Sequence, residues 1–140
     1  MESIYSRSLF FALLLSVLLL VSCSTHNLIQ CPEGLTQYNK ATLYFGTSFP
    51  GGIISDEQWQ QFLDEVVTPN LPEGMTVIDT YGQWLRPDKL IVKEPGKVII
   101  HLYPYEENKS DKIRAVIDGF KERFKAQSVI WEEETVCASF

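Results

Sequence analysis

One histidine, one carboxylate, one amide and three tyrosines fall on strand-like segments at two-residue spacing: Tyr44, then Asp79, Tyr81 and Gln83, then His101 and Tyr103. Alternate residues of a strand share a face, so these six are expected together on one side of a sheet. Such a face has three uses. His101 can move a proton near neutral pH, with Asp79 as its partner and Tyr81 as a positioning group. The same polar and aromatic groups can line a site for a small aromatic or polar ligand. Tyrosines also suit a face-to-face contact between two copies of a chain, because an apolar ring carries a hydrogen-bonding tip. The interface reading is preferred to the ligand site. Catalysis stands third, since a single histidine is more often structural than catalytic.

Other chemical templates are missing. The sequence has no Gly-rich phosphate loop, no G-x-S-x-G elbow and no H-E-x-x-H, and no cofactor is expected. Two scattered histidines and two distant cysteines, Cys31 and Cys137, do not supply a four-ligand zinc spacing, so no metal is expected either. Asp64 and Glu65 are adjacent on a helix and point apart. Glu132-Glu133-Glu134 reads as a solvated strand end, and Lys121, Arg123 and Lys125 as a solvated helix face.

The elements that must position the six residues alternate in type. Ala41 to Phe49 is β-prone and closed by Pro50-Gly51-Gly52. Ser55 and Gln58 have capping-box spacing, and Trp59, Phe62, Leu63, Val66 and Val67 follow on one face of a helix that is expected to stop before Pro69. Met75 to Trp84 alternates as a second strand, and Leu90 to Lys93 starts a third. Glu94-Pro95-Gly96-Lys97 matches a type II turn, and Val98 to Tyr103 continues as a β-prone segment. Asn108 or Ser110 can cap a second helix carrying Ile113, Val116, Ile117, Phe120 and Phe124. Ser128 to Val136 makes the last strand. The order βα, β-meander, αβ predicts an α+β ferredoxin-like sandwich, an antiparallel sheet with two helices on one face. Leu43, Phe45, Val98, Ile100 and Leu102 are assigned to the helix side, leaving the six polar and aromatic residues on the open side.

The beginning of the chain is a separate matter. Leu9 to Val21 is apolar but for Ser16, short of the roughly 20 residues a spanning helix needs. Leu20-Val21-Ser22-Cys23 resembles the lipobox of bacterial lipoproteins. That resemblance implies a signal peptide over 1–22, a diacylated Cys23 as the mature N-terminus and a tether over 23–40 leading to a domain over 41–140. It also implies a lipid-anchored protein of the bacterial cell envelope, with Ser24 favouring the outer membrane on its periplasmic side. Two acyl chains anchor stably where one is marginal. With Cys23 acylated, Cys31 and Cys137 remain as a disulfide pair or as two inert thiols. The predicted topology makes the first and last strands neighbours, which brings those two thiols together. Residues 23–140 carry 11 basic and 17 acidic side chains, so nucleic acid is not an expected partner. The expected partners are the membrane, through Cys23, and a second copy, through the open face.

Residues 41–140 resemble the bacterial domain-of-unknown-function family 3574, small exported proteins. The resemblance runs through Leu43-Tyr44-Phe45-Gly46, Glu57-Gln58-Trp59 with Phe62, Val67-Thr68-Pro69, Pro72-Glu73-Gly74-Met75-Thr76, Gly82-Gln83-Trp84, Gln127-Ser128-Val129 and Cys137-Ala138-Ser139-Phe140. It brings no catalytic residues. It does direct attention to Gly82-Gln83-Trp84, in which Gly82 suits a bulge, Trp84 with Ile78 the helix side, and Gln83 the open face.

Overall fold

A computed structural model describes residues 29–140, so the signal-like segment 1–22, Cys23 and Ser24 lie outside the described residues. Strand β1 spans Thr36–Gly46, and a small ribbon follows, β2 at Ser48–Phe49 and β3 at Gly52–Ile53. Helix α1, Asp56–Phe62, runs on through a wider π-helical turn, Leu63–Val67, and a last turn, Thr68–Asn70. Then come β4 (Thr76–Leu85), β5 (Ile91–Pro104), α2 (Ser110–Phe124) and β6 (Ile130–Ala138). The four long strands form one antiparallel sheet in the order β4-β5-β1-β6. This is the ferredoxin-like arrangement that the element order predicts. Cys31 and Cys137 are bonded, with Cα atoms 5.5 Å apart, tying the lead-in of β1 to the end of its neighbour β6.

Local chemistry explains the elements. Ser55 Oγ accepts from the Gln58 N–H, and Gln58 Oε1 accepts from the Ser55 N–H, closing the capping box at the start of α1. The helix passes Pro69 instead of stopping before it. The Thr68 N–H reaches back to Leu63 O, and Pro69 brings no N–H that the altered register would orphan. Asn108 Oδ1 accepts from the Ser110 N–H at the start of α2. Gly119 lets α2 approach α1, since a Cβ there would meet Val66 Cγ1 at 2.9 Å.

Three boundaries differ from the sequence reading. Strand β1 starts at Thr36, inside the span read as tether. It ends at Gly46, and Phe49 belongs to the small ribbon. Glu94 to Lys97 is not a turn but the middle of β5. Pro95 is tolerated because pairing with β1 ends beside it, at Gly46 opposite Gly96. Its carbonyl still accepts from the Thr47 N–H and Oγ1. Gly96 is required there, since a Cβ would meet Thr80 Oγ1 at 2.9 Å and Phe45 O at 3.0 Å. Gly82 sits opposite Glu94 in an unbroken ladder, so no bulge forms at it.

The core lies between the helices and one sheet face. Phe45 meets Trp59, Phe62 and Phe120 edge-on, with ring centroids 5.4, 6.0 and 4.7 Å away, a preferred geometry for aromatic pairs. Leu43, Ile99, Val67, Ile113, Val116 and Phe124 belong to the same cluster, with Ala41, Ile54, Leu71 and Tyr103.

Candidate functional site

The register decides which face each expected site residue occupies. Leu43 pairs with Ile99 and Ala41 with His101, so Ile99, His101 and Tyr103 share the helix-side face with Leu43 and Phe45. Val98, Ile100 and Leu102 lie on the other side. The assignment of β5 made from the sequence is therefore inverted. The same ladder places Ile78 and Trp84 opposite Val98 and Val92 on the outer face, and Asp79, Tyr81 and Gln83 on the helix-side face. A one-residue shift in register flips a whole strand. Hydropathy misleads here because both faces of β5 carry apolar residues, and only pairing with β1 settles the matter.

His101 and Tyr103 are each 1% exposed and belong to a buried polar seam. Their rings stack, with centroids 5.5 Å apart. His101 Nδ1 donates to Gly74 O at 2.7 Å, since a carbonyl can only accept. Nε2 has no hydrogen-bond partner and lies 3.7 Å from Glu73 Oε2. Lys109 Nζ bonds Glu73 Oε1 at 2.5 Å and Glu107 Oε2 at 2.9 Å. The hydrogen bond from Lys109 holds the Glu73 carboxyl below the usual carboxylate range, and the same contact raises Lys109. Tyr103 donates to Glu133 Oε1. Burial, then that bond, pushes its hydroxyl well above the ordinary tyrosine range. The seam pins the α1–β4 loop and β6 to β5. Asp79 faces Lys97 instead, four positions along β5 from His101, which is about 13 Å at strand spacing. The two do not form a proton-transfer pair.

Of the six residues, Tyr44 alone is on the open face. Its hydroxyl donates to Glu132 Oε2 at 2.7 Å, and that bond raises it above the usual tyrosine value. Beside it, Lys40, Thr42, Glu132, Glu133 and Glu134 line a shallow depression of about 440 Å³. The Lys40–Glu134 ion pair crosses it. No group of three or more His, Cys, Asp or Glu side chains placed to hold a metal ion occurs among the described residues.

The outstanding surface is elsewhere. Partners of β1 on β5 stop at Gly96, whereas the β4–β5 ladder continues to Leu85 opposite Ile91. Tyr81–Leu85 and Ile91–Pro95 therefore form a two-stranded arm beyond the sheet. Its tip is a hydrogen-bonded turn: Lys89 adopts a left-handed φ of 65°, the Arg86 N–H donates to Leu90 O, and Arg86 pairs with Asp88 at 2.9 Å. Of the 13 exposed large hydrophobic residues among those described, seven lie between Val77 and Ile91: Val77, Ile78, Tyr81, Trp84, Leu85, Leu90 and Ile91. Tyr81 is 69% exposed and Trp84 50%. Tyr81, Gln83 and Trp84 are thus gathered on the arm, apart from Tyr44, His101 and Tyr103. The role of Trp84, Leu85, Leu90 and Ile91 was not read from the sequence. The available signal was the apolar content on both parities of β4.

A model of the family described as "Protein of unknown function (DUF3574)" matches residues 40–140. No curated protein matches the sequence. The structure is similar to a phage SAM lyase in complex with S-methyl-5'-thioadenosine, at a TM-score of 0.54 and 16% identity, covering 81% of this chain and 96% of that one. The likeness to a phage SAM lyase in the apo state has a TM-score of 0.52 and 18% identity over the same shares. For CPII bound to ADP and bicarbonate, from Thiomonas intermedia K12, the TM-score is 0.45 at 12% identity, with 76% of this chain and 93% of that one covered. At these identities the likeness to the lyase is one of fold.

Proposed function

This chain belongs to the DUF3574 family, and we propose that it is a lipid-anchored protein of the bacterial cell envelope, held through Cys23, that acts as a protein-interaction module through its β4–β5 arm. One observation carries the interaction reading: a regularly paired two-stranded arm, bearing Gln83 and Trp84, exposes apolar side chains on both of its faces. A two-stranded ribbon has no core of its own, and a concentration of exposed apolar residues marks an interaction site. The lipobox-like Leu20-Val21-Ser22-Cys23 supports the anchor. The enzyme reading loses its principal residue, because His101 is sealed in the seam.

Two measurements on the full chain in cells test this. Cys23→Ser should move the protein from the membrane to the soluble fraction, and mass spectrometry of the original chain should find Cys23 acylated. An unmodified Cys23 would reject the anchor. A photo-cross-linking residue at Leu85 should capture a protein partner, while one at the exposed Glu122 on α2 should not. Equal, diffuse labelling from both positions would reject the arm as a specific surface.

A further inference from the structure

The sheet has two edges, and they are opposites. Strand β6 carries three consecutive carboxylates, Glu132 to Glu134, and like charges brought face to face discourage pairing with a copy of itself. Strand β4 has none of the usual edge protections. It is ten residues long, exposed along its whole length and regular in its ladder to β5. It contains no Pro, Lys or Arg, and its one charged residue is Asp79. Such an edge is a template for another strand.

We propose that the partner of this edge is a second copy of the same chain, joined β4 to β4 in antiparallel register about a two-fold axis at Tyr81. This rests on the reading of the arm as an interaction site and names its occupant. A two-fold axis perpendicular to the sheet preserves its faces, so only residues of equal parity can stand opposite each other. With the axis at Tyr81, Ile78 meets Trp84, Val77 meets Leu85, Asp79 meets Gln83 and Thr80 meets Gly82, each pair occurring twice. Apolar residues face apolar ones, and an amide that can donate faces a carboxylate that can accept. Asp79 is already neutralised by Lys97 of its own chain, at 2.5 Å, and its second oxygen is left for Gln83.

Neighbouring registers lack this match. With the axis at Thr80, Asp79 faces Tyr81, Ile78 faces Gly82 and Val77 faces Gln83. With the axis at Asp79, two carboxylates meet. With the axis at Gly82, Asp79 faces Leu85 and Thr80 faces Trp84. The sequence of β4 is self-complementary in one register, and that register spans Val77 to Leu85. The result is a continuous eight-stranded sheet in which the Trp84 of each copy covers the exposed Ile78 of the other.

A photo-cross-linking residue replacing Trp84 in the full chain, in its native membrane, tests the occupant and the register together. The expected adduct has twice the chain mass, and its cross-linked peptide contains Ile78. Tyr81→Lys or Tyr81→Glu, each at an exposed position, should lower that adduct by roughly tenfold or more, because like charges then meet at the axis. Co-expressing the two variants should restore it, which a folding defect would not allow. A doubled mass mapped outside β4 overturns the register. An adduct with a different protein overturns the self-pairing and leaves the arm as an interaction site. No adduct at all overturns both. Undiminished adduct from Tyr81→Lys alone removes Tyr81 from the axis and overturns the proposal.

Discussion

The two halves of β5 are one continuous strand in two environments. From Gly96 to Pro104 it pairs with β1, and as far as Ile100 with β4 on its other side as well, with helices over Ile99, and the polar atoms of its one histidine and one tyrosine are turned inward. From Ile91 to Pro95 it has β4 alone, Ile91 stands in water and Val92 is only half-buried. In the first half, burial is complete enough that a hydroxyl and an imidazole are held by named partners. In the second, ladder hydrogen bonds persist without a core beneath them. Regular backbone pairing is therefore poor evidence of burial. An exposed apolar half on a strand whose other half is packed points to a surface covered by something else.

The contrast can be tested by substitution. Phe120→Ala, which empties a position packed against Phe45, Trp59, Phe62 and Phe124, should lower stability by about 3–5 kcal/mol in urea unfolding. A loss near zero would mean that the packed half is not the stabilising one. Tyr103→Phe should cost about 1–3 kcal/mol, because Glu133 loses its donor. That substitution also has a pH signature. The folded hydroxyl lies above the ordinary value of about 10, so its contribution is fully present below that pH and is lost as pH rises toward the folded value. Unfolding followed between roughly pH 8 and 11 should show a shallower alkaline decline in Tyr103→Phe than in the original chain. The smallest effect belongs to the arm. Trp84→Ala, measured where the chain is monomeric, should change stability by no more than about 0.5 kcal/mol. A loss as large as that of Phe120→Ala would erase the distinction between the two halves.

Much of the fold was legible in the sequence. Ser55 and Gln58 announce the start of α1, the spacing from Trp59 to Val67 gives its buried face, and the element order places Cys31 near Cys137. These are local or topological signals. The site was less legible. Val98, Ile99 and Ile100 are apolar in succession, so no hydropathy count could say which parity faces the helices. The pairing of Ala41 with His101, a long-range fact, settled it and took His101 and Tyr103 off the open face. The Pro95-Gly96 dipeptide looks like a turn and sits inside a strand, because the end of β1 relieves the need for the donor that Pro95 lacks. Trp84 was marked by family resemblance alone, and Gln83 by that resemblance and by strand alternation; their setting on an arm follows from β5 outlasting β1.

The bond between Cys31 and Cys137 changes how the domain bears a pull. It closes residues 31–137 into a covalent ring, which the chain enters at Cys31, with the arm far around its circumference. A load applied through the segment before Cys31, as an anchor at Cys23 would apply it, and resisted at the arm, as a docked partner would resist it, divides between two parallel routes. One runs forward through β1 and α1, the other backward through β6 and α2. Neither β1 nor β6 can be peeled from the sheet alone. To stretch the domain, both would have to slide at once, so the ring would turn such a tether into a two-legged mount.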